Sequence, residues 1–150
     1  MVTSDGISDA DWNIVRQCTE GIVQASSLGA DDSLLISNLF SELRKLEAVY
    51  GRLPSILATE ADFTEDICRE QSLLKEAYAS AYELSDYKNM TYVSASLAEF
   101  YIERMQNLKK AVFWQEALSG NLCNYSDEYV EEVLKDLNIS NRGQSKPTPE

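Results

Sequence analysis

The chain contains no histidine at all. That removes the commonest general base and the commonest metal ligand, and it makes a His-containing metalloprotease helix motif impossible. Basic residues are also scarce, 13 Lys and Arg against 25 Asp and Glu, for a net charge of −12. A surface this acidic is a poor match for nucleic acid or an anionic membrane, because phosphate is bound by Lys and Arg. No apolar run approaches the ~20 residues of a membrane span. The three cysteines, Cys18, Cys68 and Cys123, are far apart and form no Cys-x-x-Cys pair. The default reading makes them reduced, small buried hydrophobes, and without His a catalytic cysteine has no partner to activate it. Gly-x-Gly-x-x-Gly, a phosphate-binding Gly-rich loop and Gly-x-Ser-x-Gly are all missing. The opening Met1-Val-Thr-Ser-Asp-Gly has neither the positive charge nor the apolar stretch of an export signal, so a cytoplasmic location is expected.

What is present is an ordinary globular composition, 44% hydrophobic and 25% charged over 150 residues. That length suffices for one domain burying about two-thirds of its unfolded surface. The acidity is spread along the chain, with 13 acids and 6 bases in residues 1–75 and 12 and 7 in residues 76–150. It clusters at Glu60, Asp62, Glu65, Asp66 and Glu70, and again at Asp127, Glu128, Glu131, Glu132 and Asp136. Part of this is helix capping, expected at Asp9, Asp31, Asp32 and Asp127, where acids oppose the positive end of the dipole. The remainder costs the folded state self-repulsion that a basic partner would relieve.

Apolar spacing is helical nearly throughout. Helices are expected over residues 9–28, from Asp31-Asp32-Ser33 to Tyr50, over a short segment from Pro54 to Phe63, and over 65–84, 88–105, 108–119 and 126–137. Leu35, Leu39, Leu43, Leu46 and Tyr50 form one stripe. Met90, Val93, Leu97, Tyr101 and Met105 form the most regular one. Thr64 or Asp62 serves as a cap for the fourth helix. Tyr78, Tyr82, Tyr92 and Tyr101 are read chiefly as core. Residues 138–150 lack apolar content and read as a disordered tail beyond a single helical domain, 1–137. Short loops between amphipathic helices predict an all-α fold of stacked antiparallel helical hairpins. Val130 and Leu134 could pack within the chain or across a dimer, which leaves the oligomeric state open.

Stacked hairpins raise the question of repeats. Leu97, Ala98 and Tyr101 take the Leu-Gly-x-x-Tyr positions of the tetratricopeptide pattern, Trp114 takes its second-helix aromatic position, and Ala117-Leu118 close it. Small Ala98 lets the partner helix approach, while Tyr101 and Trp114 fill the gap. Lys110 stands where the pattern has Ala, and Leu122 where it has Pro. A step of 34 residues back leaves only a weak echo around Pro54 and Phe63. The segments 50–63, Tyr-Gly-Arg-Leu-Pro-Ser-Ile-Leu-Ala-Thr-Glu-Ala-Asp-Phe, and 86–101, Asp-Tyr-Lys-Asn-Met-Thr-Tyr-Val-Ser-Ala-Ser-Leu-Ala-Glu-Phe-Tyr, carry a further likeness. Over about residues 35–120 the chain resembles the small acidic, tetratricopeptide-like immunity proteins of bacterial polymorphic-toxin and contact-dependent inhibition systems. The resemblance implies a cytoplasmic, all-helical protein that binds one cognate toxin domain and blocks it. Because fold class, composition and motifs offer no positive catalytic site, no enzymatic activity, cofactor or metal is expected.

Many such toxins are nucleases and therefore basic. An acidic partner would be steered to that surface and shield it. Two surfaces are candidates for the contact. One is the inner face of the repeat-like hairpin, with Tyr92, Glu99 and Glu103. The other is the acidic turn, with Glu60, Asp62, Glu65 and Asp66. The alternative function is an adaptor or secretion chaperone that holds a peptide in a helical groove. Poor repeat regularity and the shortage of bases count against it.

Overall fold

Helix boundaries follow local chemistry closely. A computed structural model describes residues 2–144, with side chains through Asn138. Its described residues form α1 (Asp9–Ser27), α2 (Ser33–Tyr50), α3 (Pro54–Asp62), α4 (Ile67–Glu83), α5 (Tyr87–Glu103), α6 (Leu108–Asn121) and α7 (Glu128–Gln144). Ser8 caps α1 by accepting from the Asp11 N–H. Asp66, rather than Thr64 or Asp62, caps α4 through the Arg69 N–H. Asp86 and Asn107 do the same for α5 and α6. Pro54 occupies the first turn of α3, where a missing N–H costs nothing. Two reversals use non-glycine residues with left-handed backbone, Ser85 (φ 53°) and Gln106 (φ 49°). The fold is all-α. Among the described residues the sole β feature is an isolated bridge between Val2 and Ser8.

Sequential helices are each other's main packing partners: α1 with α2, α3 with α4, α4 with α5, and above all α5 with α6. α7 returns to lie on both α5 and α6. Three apolar clusters result. Ile7, Val15, Ile22, Leu39, Leu43 and Ile56 join α1, α2 and the start of α3. Leu57, Leu74, Leu97 and Tyr101 join α3, α4 and α5. Ala95, Ala98, Leu118, Val133 and Leu137 join α5, α6 and α7.

Val130 is fully buried and Leu134 packs on the last cluster, so the α7 stripe is covered by the chain's own α5 and α6. α7 also continues in helix to Gln144, past the Leu137 boundary at which a tail was expected. Residues 145–150 of that tail lie outside the described residues. Three other expectations change. Met105 falls beyond the end of α5 and is exposed, Tyr82 is 69% exposed rather than core, and Cys68 and Cys123 are exposed, with Cys18 half-buried. Tyr82 and Cys68 sit on helix faces that no other element covers, a fact that composition does not encode.

The segment before α1 acts as a clasp. Thr3 and Gly6 close a turn around Asp5, with Gly6 at φ 100°. Asp5 accepts from the Ser55 backbone N–H (2.7 Å) and from the Ser55 hydroxyl (3.0 Å). Leu53, at the formal cap position of α3, offers no side-chain acceptor. Asp5 therefore caps α3 from 50 residues away. Asn89 on α5 donates to Ser4 (3.2 Å) and Ser55 (3.3 Å), tying the same segment to a third element. Asp5→Ala is expected to lower the unfolding free energy by about 1–2 kcal/mol, the usual cost of losing a cap. Urea unfolding followed by circular dichroism checks this, and an unchanged midpoint would rule out a capping role.

Candidate interaction groove

α1, α3, α5 and α7, with Glu70 and Leu74 of α4, line a chain of adjoining hollows. The largest, about 720 Å³, lies between Trp12 and Arg16 of α1, Thr59 and Asp62 of α3, and Lys88 and Tyr92 of α5. The next, about 180 Å³, is bordered by Asp62, Glu70, Ser96, Glu99, Glu103 and Arg104. A third, about 170 Å³, lies between Glu99 and Glu103 of α5 and Val133 and Asp136 of α7. Asp62 borders the first and second, and Glu99 and Glu103 border the second and third. The hollows therefore join into one band. Helical spacing explains the α5 side: Tyr92, Ser96, Glu99 and Glu103 recur every three or four residues on the face away from Leu97 and Tyr101.

Carboxylates crowd this band. Asp62 is open to water on one side yet walled by protein on the others, since it borders the first two hollows and a further one of about 270 Å³ beside Val15, Thr19 and Phe63. That partial burial, with Glu70 and Glu99 adding like charge, pushes its carboxyl up to about 6. Glu99 is also raised, by burial first and then by Glu103 and Asp136. Burial raises Glu70, and Arg104, 3.4 Å away, pulls it partly back. Asp62 has no hydrogen-bond or ion-pair partner among the described residues.

Beside the first hollow, where Tyr92 meets the start of α7, the surroundings become aromatic. The hydroxyls of Tyr92 and Tyr125 (2.9 Å) both donate to Asp127. Asp127 also accepts from the Val130 N–H at the start of α7 (3.0 Å). These bonds, Tyr92's foremost, hold its carboxyl below the usual range. Tyr92 stacks on Tyr129 at 5.7 Å, and Lys88 sits 5.9 Å above the Tyr125 ring.

The two surfaces expected from sequence are thus redistributed. Asp62 comes to the same groove as Tyr92, Glu99 and Glu103. Glu65 stays on the α3–α4 turn, where its carbonyl accepts from Arg104 (2.6 Å). Asp66 is committed to capping α4. Glu60 is not on the surface at all. It is 3% exposed and is held between Arg44 of α2 and Arg69 of α4, the latter at 2.6 Å. Two residues along a helix is about half a turn, so Glu60 and Asp62 point to opposite sides of α3, which is why neighbours in sequence part company. Trp12, Thr59, Glu70, Tyr129 and Asp136 were not foreseen as groove residues. Only Tyr129 carried a local signal, the run Tyr125-Ser-Asp-Glu-Tyr129, which brackets a capping acid with two phenols.

The raised Asp62 carboxyl has a definite sign. The folded chain keeps a proton that the unfolded chain releases above the ordinary carboxylate value of 3.8. This group's contribution to stability is therefore fullest below that value and is lost as pH rises through about 6. Asp62→Asn is expected to melt higher than the parent above neutrality by roughly 2–4 °C, equivalent to about 1 kcal/mol at this size once screening by water is allowed for. The advantage should vanish at about pH 3.5. Melting curves across that range decide it. A gain of equal size at both ends would exclude titration of Asp62 as the cause.

No helix among the described residues is long and apolar enough to cross a membrane, and no group of three or more Cys, Asp and Glu among them is placed to hold a metal ion. Compared with known proteins, the chain matches no family model, no curated protein and no solved structure.

Proposed function

We propose that the chain is a tetratricopeptide-like immunity protein that binds one basic bacterial toxin domain in the cytoplasm and neutralises it through the groove of α1, α3, α5 and α7. The observation that supports this most is the crowding of Asp62, Glu70, Glu99, Glu103 and Asp136 along one concave band, with several carboxyls raised by burial and by one another. Like charges gathered in a hollow destabilise the free protein and strengthen the attraction for a basic partner. Tyr92 and Tyr129 beside them supply rigid, amphipathic contact area of the kind that anchors interfaces.

The test is co-expression with the toxin domain encoded by the adjacent reading frame, scored by growth and by co-purification. Protection and a stable complex are expected. Asp62→Lys with Glu99→Lys should slow association by about tenfold or more and flatten its salt dependence, whereas Glu65→Lys on the turn should leave both nearly unchanged. Absence of protection, with recovery of many unrelated peptides in the groove, would favour the adaptor reading instead.

A further inference from the structure

The widest part of the groove differs from the rest in chemistry. Among the described residues only two acids border it, Asp9 and Asp62, and they are not equivalent. Asp9 already pairs with Arg16 at 3.4 Å. Lys88, the other cation there, lies over the Tyr125 ring at 5.9 Å. Asp62 alone is unengaged, and it sits where this hollow meets two others. Trp12 stands on the α1 wall and Tyr92 on the α5 wall, with the Thr59 side chain one helical turn before Asp62. The space, about 720 Å³, is ample for a long side chain to enter from outside.

We propose that this crevice between α1, α3 and α5 seats one arginine side chain of a protein partner, with Asp62 as its counter-ion and Trp12 and Tyr92 as its aromatic walls. The proposal rests on the binding role above and names the chemistry of the anchoring contact. A guanidinium is flat, weakly hydrated and able to stack on indole and phenol rings while donating two parallel hydrogen bonds to one carboxylate. An ammonium is compact and strongly hydrated, and it makes only the point-charge part of that contact. Entry of the cation relieves the repulsion that Asp62 feels from Glu70 and Glu99 on the neighbouring side. Arginine buried in such a pocket is a common interface hot spot.

The probe is acetyl-Gly-Arg-Gly-amide, compared with its lysine counterpart, titrated into the full chain and followed by NMR. Saturable shifts are expected at the Trp12 indole N–H and at the amides of Thr59, Asp62 and Tyr92. The arginine peptide should bind at least about threefold tighter than the lysine peptide, and Asp62→Asn should weaken it about tenfold. Asp62 makes no bond that the fold needs, so this variant keeps the fold intact. Shifts scattered over every acidic face, equal response to both peptides, or binding unchanged in Asp62→Asn would overturn the assignment. The toxin assay separates the two levels. If the parent protects cells and Asp62→Asn binds the toxin equally well, the arginine seat is wrong and the immunity role stands. If the peptide binds in an Asp62-dependent way but no protection occurs, the seat stands and the immunity role falls.

Discussion

Replacing Arg44 and Arg69 together with methionine is expected to lower the unfolding free energy by about 3–5 kcal/mol. Both guanidiniums are substantially exposed, but the carboxylate they share is not: the Glu60 side chain is 4% exposed. Removing the arginines strands a buried negative charge between α2, α3 and α4. The penalty is the desolvation of that carboxylate rather than the lost attraction of two surface residues, which alone would amount to about 1 kcal/mol or less. A third substitution, Glu60→Met, should therefore restore most of the loss, because an apolar side chain of similar volume has no charge to solvate. Urea midpoints of the double and triple variants test the pair of statements. A double variant within about 1 kcal/mol of the parent would mean that water reaches Glu60 freely.

The second large effect separates two tyrosines that look alike in sequence. Tyr101→Ala is expected to cost about 3–5 kcal/mol and Tyr82→Ala less than about 0.5 kcal/mol. Tyr101 is fully buried between α4 and α6, packs edge-on to Phe100 at 5.2 Å, and takes a hydrogen bond from the Gln71 amide at 2.7 Å. Truncation leaves a cavity and an amide without its partner. Tyr82 is 69% exposed and loses nothing comparable. A domain of this kind has only about 5–15 kcal/mol in total, so Tyr101→Ala removes a large share. Thermal and urea unfolding of both variants provide the comparison, and similar midpoints would overturn the assignment of Tyr101 to the core.

These two cases show what was legible in the sequence. Apolar periodicity located the helices well, because it is a property of one helix at a time. Leu39, Leu43 and Leu46 on α2, and Met90, Val93, Leu97 and Tyr101 on α5, are buried as their spacing predicts. Periodicity does not say which helix lies against which. Glu60 and Asp62, and Cys18 and Cys68, are told apart only by what neighbouring helices bring up against them, Arg44 of α2 and Arg69 of α4 in the case of Glu60. The groove had the same fate. Its α5 side, Tyr92, Glu99 and Glu103, is a single-helix pattern and could be read directly. Asp62 could be named but not placed, and Trp12 and Asp136 join it only across long sequence separations.

The clasp at Asp5 bears on the order in which the chain comes together. Nearly all packing is between sequential helices, so most of the molecule can assemble from short-range encounters, the regime of rapid folding. The Ser4–Asn89 bond is different, since it joins residues 85 apart. Closing so long a loop pays its entropy before any reward, which places the clasp late. During synthesis, the Asp5–Ser55 contact can close once α3 is free, whereas the Asn89 arm must wait until α5 has left the ribosome. Once closed, it acts on the lifetime of the native state rather than on the speed of reaching it, as contacts formed after the transition state do.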